Sequence, residues 1–545
     1  MSFKKYLGVA LAATMTLSMA TCAFAEEGVH GLYEDPANTQ VTDETLVIGL
    51  SAEPSALWAA GSGKQENELS IISAALQDTL INFNRQTGEV EPALATAWEW
   101  VDDTHCKFTL RDDVTMTDGT PLVADDVVYT VNTAMEYSPN SDTGAYFAGA
   151  VADDEHTVTI EFTTVAPDLL KMLSWANFGI VSEDEVNAAG GVEAAAKAPL
   201  MGSGKYKFKE WNSGQSIVLE RNDNYWDPDY KGYFKEIKFT FTNDAAARAM
   251  AVMSGDCDVA YDMPISMAST YRGNDQVKLV VHPFGQNTRI FYNQGEGAGA
   301  TKDIKVRQAI DKALDFNAIA GIGTAGMGAE VHSYFPDDSP YYHDMFTAEE
   351  RAQDIEGAKA LLAEAGYDDS NPLELNIIGM QDQNDVFTVM QANLAQAGIK
   401  LNINIVDTPA FVEGVAFKDA SYDIVHVGDL MDARYPASMI FFKQANIDTF
   451  VIGGPKYTTP ELEESIHAFI SEPDEAKAAE MAKEIEQTFK DGCWYSNTYC
   501  ELHAALTNPQ LKGYSARERG YIDCTNFYKQ SEESSLYNIN GIAIQ

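Results

Sequence analysis

The sequence predicts an α/β protein with more than one lobe. Three observations lead there. The chain has 545 residues, more than one ordinary hydrophobic core holds. Residues 373–427 alternate strand, helix, strand, helix and strand, the mark of a largely parallel sheet with right-handed crossovers. Residues 202–262 form a separate section rich in short alternating strands. Composition is that of an ordinary globular protein, with 45% hydrophobic residues to fill the cores.

The first segment reads as an export signal. Lys4 and Lys5 form a positive region, Leu7–Ala20 is apolar, and Ala23-Phe24-Ala25 is an A-x-A cleavage site. The apolar run is too short and broken to span a bilayer, and no later run is long enough. Cleavage after Ala25 leaves an exported chain. Lipid attachment at Cys22 is a second reading, although Met19-Ala20-Thr21 matches a lipobox poorly. The formal charge of −45 excludes nucleic acid as a partner and disfavours docking on an anionic membrane. Of the six cysteines, none forms a CxxC motif, so no zinc ribbon or redox centre is indicated. Cys493, Cys500 and Cys524 could supply a disulfide after export, or remain buried thiols.

The elements follow in order. Thr45–Leu50 is a strand that runs into Ser51-Ala52-Glu53-Pro54. Glu68–Thr79 is a helix with Leu69, Ile72 and Leu76 on one face. Strands are expected at Lys107–Arg111 and Thr157–Phe162. Between them, Asp125 and Asp126 open a helix where acids suit the positive end of the macrodipole. An Ala-rich helix covers Val192–Lys197. Ser216–Glu220 and Ile237–Thr242 are strands, Ala245–Ser254 a helix, and Asp258–Tyr261 a strand leading into Asp262-Met263-Pro264. Arg289–Asn293 is a strand. Residues 305–319 read as one amphipathic helix, with Val306, Ala309, Ile310, Ala313 and Leu314 aligned. Helix Ile355–Ala365 stops at Gly366, and helix Val386–Ala397 at Gly398. Leu373–Ile377 and Ile399–Ile405 alternate as strands. A short helix near Phe411–Phe417 precedes the strand Asp423–Val427, and a final helix spans Glu475–Phe489.

Most chemical motifs fail on context. Gly321-Ile322-Gly323-Thr324-Ala325-Gly326 fits G-x-G-x-x-G, but a helix precedes it and none follows, so it reads as a loop after a helix. Gly202-Ser203-Gly204-Lys205 lacks the earlier glycine and the following Ser or Thr of a phosphate loop, so ATP binding there is rejected. The nine histidines show no HExxH spacing, and no G-x-S-x-G elbow occurs. Asp223, Asn224, Asp227 and Asp229 lack calcium-loop spacing. No cofactor is expected. The loop Gly428–Pro436 remains, with Asp429, Asp432 and Arg434 after a buried strand. It is either a solvated turn ended by Pro436 or the ligand crevice outside a sheet's carboxyl ends.

Residues 88–130 decide how that loop is read. Gly88, Pro92, Leu94, Ala95 and Trp98 fit G-x-x-x-P-x-L-A-x-x-W. Phe108, Leu110, Arg111, Val114, Asp118, Gly119, Pro121, Ala124, Asp126 and Val127 fit the pattern that follows it, with Met116 in place of an aromatic. GSGKYKF, RNDNYW, Arg248–Val259, Asn293, VRQAIDKALD and AKALLAEAGY continue the match. The chain thus resembles the family 5 extracellular solute-binding proteins of ABC transporters, the oligopeptide-, dipeptide- and nickel-binding type.

The resemblance implies a type II periplasmic-binding-protein fold: two lobes, a hinge-closing cleft and an extra subdomain in the first lobe. Lobe I would comprise 26–55, 200–282 and 500–545, the inserted subdomain 56–199, and lobe II 283–499. It implies a monomer outside the cytoplasm that delivers a small ligand, foremost an oligopeptide, to ABC permease subunits in the membrane. Asp432 aligns with the Asp that meets a peptide's α-amino group. Arg434 would pair a carboxylate. Asp429 stands where the family carries an aromatic. Asp262, Glu53 and Trp58 are further ligand candidates near strand ends of the first lobe. The alternatives are the same receptor role for an oligosaccharide or a metal chelate, or a secreted hydrolase, for which the sequence shows no nucleophile–base or metal constellation, so no enzyme is expected.

Overall fold

The computed structural model describes residues 32–33, 41–64, 66–84, 89–137, 146–163, 167–198, 202–227, 232–294, 299–335, 339, 341–407, 410–411, 422–430, 459–514, 521–529, 536–538 and 543–544. Its spine is a ten-stranded sheet. In chain order the strands are β1 (Thr45–Leu50), β2 (Tyr206–Asn212), β3 (Ser216–Arg221), β4 (Glu236–Phe241), β5 (Val259–Met263), β6 (Lys278–Tyr292), β7 (Glu374–Gly379), β8 (Lys400–Ile405), β9 (Ile424–Leu430) and β10 (Tyr495–Thr507). They lie side by side as β8-β7-β9-β6-β10-β5-β1-β4-β3-β2. At one end β1 runs parallel to β4 and β5. At the other, β7 runs parallel to β8 and β9. Between these groups, β6 and β10 are antiparallel to each other and to their neighbours β9 and β5.

β6 and β10 have 15 and 13 residues. At about 3.3 Å per residue they reach roughly 50 and 43 Å, too far for one core. Lys278–Pro283 pairs with Thr507–Leu502, and Asn287–Phe291 with Cys500–Tyr495. The register slips between Pro283 and Asn287 and, by a smaller step, between Thr288 and Arg289. Pro283 has no N–H to give a ladder, so the interruption falls where the sheet is weakest.

Each half of the sheet has its own core. One holds Leu46, Ile48, Ile217, Leu219 and Phe239 under the helix Asn67–Leu76. The other holds Ile290, Leu375, Ile377, Leu401 and Ile424 under the helices Ile304–Ala313 and Asn384–Gln396. A separate four-stranded antiparallel sheet runs Ala95–Trp100, His105–Leu110, Thr157–Phe162, Phe147–Asp154. Helix Ala124–Tyr137 covers it with Val127, Val131 and Ala134. Its apolar core is continuous with Tyr334, Phe335 and the helices Pro460–Ile470 and Glu475–Gly492. No helix among the described residues is long and apolar enough to cross a membrane. Cys106, Cys257, Cys493, Cys500 and Cys524 are all free thiols.

Three expectations change in detail. The helix expected over 305–319 is two helices, Ile304–Ala313 and Phe316–Gly323. Leu314 is extended, and the Asp315 carboxylate accepts from the Ala318 amide at 3.0 Å. An N-cap of that kind is worth about 1 kcal/mol, and Asn393 holds the break by accepting from the Asp315 amide. The strand expected to end at Val427 continues to Leu430, because Gly428, Asp429 and Leu430 find partners in Thr288, Asn287 and Gln286. The strand expected at Arg289–Asn293 is the end of the longer β6, which stops at Tyr292. Gly321–Gly326 does close a helix rather than open one, and Gly323 has a packing reason: a Cβ there would stand 2.2 Å from the Tyr499 ring. The short helix expected near Phe411–Phe417 lies mostly outside the described residues.

Buried cations tie the lobes' frames to the long strands. Arg307 donates to the carbonyls of Thr301, Gly492 and Cys493, which closes the C-terminus of helix Glu475–Gly492 with positive charge. Arg289 on β6 is 0% exposed. It donates to Asn497 Oδ1 on β10 at 2.8 Å and to the Tyr334 carbonyl at 2.5 Å, and stacks on Tyr334 at 4.2 Å. Arg289→Met would strand the Asn497 acceptor in the interior, at about 1–3 kcal/mol, and leave the Tyr334 carbonyl with Asn287 Nδ2 at 3.3 Å. Urea unfolding followed by fluorescence should show a clearly lowered midpoint, and an unchanged midpoint would rule out this tie as structural.

Candidate functional site

The sheet's topology points both sets of strands at one place. β5 meets β10 at Met263–Ala504, and β9 meets β6 at Leu430–Gln286. The carboxyl ends of the parallel strands from each half therefore converge where β6 and β10 cross and their ladder slips. Loops part at such ends and leave main-chain groups free for a ligand.

On the first side, Ser51 follows β1. Its hydroxyl donates to Glu68 Oε1 at 2.6 Å and lies 3.5 Å from Asp262 Oδ2. Asp262 is the last residue but one of β5, with φ of 54°, a left-handed conformation that Asp tolerates at a modest cost. Arg248, nearly fully buried, holds the turn: it donates to the carbonyls of Thr242, Asn243 and Asp262 at 2.6, 3.1 and 2.8 Å. One guanidinium thus fixes the ends of β4 and β5. Burial pushes the Asp262 carboxyl upward, against the pull of Arg248 and Ser51.

The crossing strand forms the floor. β10 is buried on both flanks but partly exposed at Cys500, Glu501 and Leu502. Glu501 has no side-chain hydrogen bond or ion pair among the described residues. Burial raises its carboxyl to about 7, reinforced by Asp382 and Asp262. On the second side, Asp382 occupies the turn Gln381–Gln383 after β7 and is exposed. Gln383 pins that turn to β9 by donating to the His426 carbonyl at 2.8 Å and accepting from the Met380 amide at 2.9 Å. Burial lowers His426 to about 3 and His503 to about 4, so both rings are neutral. His426 Nε2 contacts Thr498 Oγ1 at 3.1 Å. The described charge at the crossing is therefore net negative, from Glu68, Asp262 and Asp382 against Arg248, with Glu501 adding to it only as pH rises past about 7. No group of three or more His, Cys, Asp or Glu among the described residues is placed to hold a metal ion. A groove of about 650 Å³ lies elsewhere, along Gln391 and Lys400–Ile403 at the outer edge strand, starting from the amino end of β8.

The sequence candidates land in different places. Asp262 stands at the crossing. Asp429 lies in β9 opposite Asn287, also at the crossing, with its side chain not described. Glu53 accepts from Trp211 Nε1 at 2.7 Å and from the Gly214 amide at 2.9 Å, so it clasps the β2–β3 hairpin. Those two donors, Gly214 first, lower its carboxyl. Trp58 is 0% exposed and belongs to the inserted sheet's core. Asp432 and Arg434 lie outside the described residues.

The description "Bacterial extracellular solute-binding proteins, family 5 Middle" matches residues 89–446, more than half of the chain. The chain belongs to this family. It is 24% identical over 514 residues to the periplasmic oligopeptide-binding protein OppA of Salmonella typhimurium, covering 89% of this chain and 92% of that protein. It is 24% identical over 542 residues to the periplasmic murein peptide-binding protein MppA of Escherichia coli, covering 92% and 96%. Among solved structures, the oligopeptide-binding protein AppA of Bacillus subtilis in complex with a nonapeptide superposes with a TM-score of 0.72. That likeness, at 21% identity over 91% of this chain and 100% of that one, is a likeness of fold.

Within this family 5 chain, Glu501, Asp382 and Glu68 escaped the sequence reading. Glu501 carried one usable signal, a carboxylate inside a long, mostly apolar strand. Asp382 and Glu68 carried none, since acids in turns and first helical turns are ordinary. The raised Glu501 carboxyl has a consequence for stability. Between about pH 4.5 and about 7 the folded chain holds a proton that the unfolded chain has released. Stability from this group is fully present below that window and is lost as pH rises through it. The ligand-free melting temperature should fall across the window in the wild type and fall less in Glu501→Gln. Parallel profiles would refute the assignment.

Proposed function

We propose that this protein captures an oligopeptide between two lobes outside the cytoplasm and presents it to the permease of an ABC importer. The observation that carries the reading is the convergence of two sets of strand ends on a single pair of crossing strands, in a chain of a solute-binding family. β6 and β10 carry the main chain between the two lobes, and rotation about the slip at Pro283–Asn287 is hinge closure; the core that the inserted sheet shares with Tyr334, Phe335 and the helices Pro460–Ile470 and Glu475–Gly492 has to shift with it. The ligand drives closure only as far as it prefers the closed form.

The lobe boundaries we propose are 26–55, 200–282 and 500–545 for lobe I, 56–199 for its insert, and 283–499 for lobe II. The register slip between Pro283 and Asn287, opposite Cys500–Leu502, favours a boundary there. The names of the curated relatives, oligopeptide- and murein peptide-binding, support a peptide as ligand. In this reading the chain binds without catalysis, acts as a monomer, and leaves ATP hydrolysis to other subunits. Export follows removal of residues 1–25, with attachment through Cys22 as the alternative.

Asp432 would hold the peptide's ammonium end, and Arg434 would pair its carboxylate. An ammonium taken from water into a closed cleft needs a fixed counter-charge, or desolvation defeats binding. Calorimetry of the purified mature chain with tri- to pentapeptides should show binding without turnover. Asp432→Asn should weaken it about tenfold or more. Unchanged affinity removes Asp432 from the site, and peptide cleavage by the pure protein removes the receptor reading.

A further inference from the structure

We propose that loop 324–328 is a third hinge element, a rigid pin from lobe II that seats Met327 in lobe I and limits how far the two lobes open. This rests on the two-lobe receptor reading and concerns how the hinge of that receptor is held.

The chain crosses between cores within a few residues. Phe316, Ile319 and Ala320 on helix Phe316–Gly323 belong to the core of the sheet's second half. Met327, 4% exposed, belongs instead to an apolar cluster of the first half, with Val252, Leu279, Val281, Ala504 and Leu506. By Glu330 and Val331 the chain is back beside the second half. Glu330 bridges to Tyr499, and the Val331 amide donates to the Thr498 carbonyl at 3.1 Å. The excursion therefore reaches across the hinge and returns without adding a strand to the sheet. Leu279 and Val281 lie just before Pro283, so Met327 seats close to the slip about which the lobes turn.

Both ends of the excursion are fixed. At its base, Gly323 packs against the Tyr499 ring too closely for any side chain. At its tip, Arg272 of lobe I donates to the Gly326 carbonyl at 3.1 Å. The loop between is stiff, because every amide from residue 324 to 328 is hydrogen-bonded within it or to the end of its helix. In order, these amides donate to the carbonyls of Ala320, Ile322, Gly321 and Thr324, and to Thr324 Oγ1. Ala325 and Gly326 have φ of 50° and 69°. Ala seldom holds a left-handed conformation, and such strain persists where the surroundings fix it. The glycine-rich run that suits no nucleotide thus has a mechanical role.

Two antiparallel strands permit twist as well as swing. A third contact beside them leaves a single axis. Displacements close to that axis are small, and an unbranched thioether repacks through them. Both lobes carry more acids than bases, so they repel each other and need a restraint.

The test uses the full mature chain, freed of co-purified ligand by unfolding and refolding. Small-angle X-ray scattering of the ligand-free protein at low salt reads the opening. Met327→Ala should raise the radius of gyration by about 0.5 Å or more, from roughly 24 Å. The rise should shrink in about 1 M sodium chloride, where the Debye length is about 3 Å. Arg272→Ala should move the radius the same way, and because Arg272 is exposed this variant tests the pin even if Met327→Ala fails to fold. Met390→Ala removes the same side chain from the core of the second half, and should leave the radius unchanged. Unchanged or smaller radii in both hinge variants, or an equal rise in Met390→Ala, overturn the pin. Calorimetry with trialanine separates the pin from the receptor reading. Affinity lowered about threefold or more in Met327→Ala supports a pin that favours the closed form. Trialanine bound by neither protein counts against the peptide reading, and the scattering of the ligand-free chains decides the pin on its own.

Discussion

The antiparallel pairing of β6 with β10 is the constraint on which the rest of the architecture depends. Each strand spends one half in each lobe's sheet core, so the two halves of the sheet pack in different cores, and a core shared across the lobes lies under the inserted sheet. Side chains lock the second half in place. Asp311 accepts from Tyr292 on β6 and Ser496 on β10, and Arg289 reaches from β6 to Asn497 and the Tyr334 carbonyl. These contacts lie on the second side of the slip. At the slip itself the ladder lapses for a few residues, and rotation there breaks few main-chain hydrogen bonds. Stiff halves around a short gap are what hinge motion requires.

The same constraint concentrates charge. Parallel strands on both sides must end at the crossing, and their loops bring acids with them. Asp262 arrives from β5 and Asp382 from β7, while Glu501 sits on the crossing strand itself. Arg248 is placed to satisfy carbonyls rather than these carboxylates. Like charges held close together are a cost to the empty protein. Functional sites often carry such a cost, because a ligand of opposite charge relieves it.

Much of the fold was legible because its signals are local. Asp244 and Asp354 cap their helices, and Gly366 and Gly398 end theirs with φ of 91° and 83°. The alternation over 373–427 appears as the parallel strands β7, β8 and β9. The single helix expected over 305–319 was misread because Leu314 continues the apolar stripe while its backbone does not continue the helix. Hydrophobic periodicity records which side chains are buried, and Asp315 shows that a cap can interrupt the helix without breaking the stripe. Gly428–Leu430 looked like a loop because its strand partners, Gln286–Thr288, are more than a hundred residues away.

The candidate site divides along the same line. Asp262 could be found from the chain because it closes a predicted strand, and strand ends are visible in a pattern of alternation. Glu53 and Trp58 met the same criterion, yet one clasps a hairpin and the other fills a core. Glu501 and Asp382 become neighbours only through the sheet order, which places β10 beside β6 and β6 beside β9. Fold class, capping and the family motifs arise from short-range periodicity and spacing, so the amino-acid order states them directly. Which acids share a cleft depends on strand pairing over hundreds of residues, and pairing is settled by the global burial of apolar faces rather than by any local stretch.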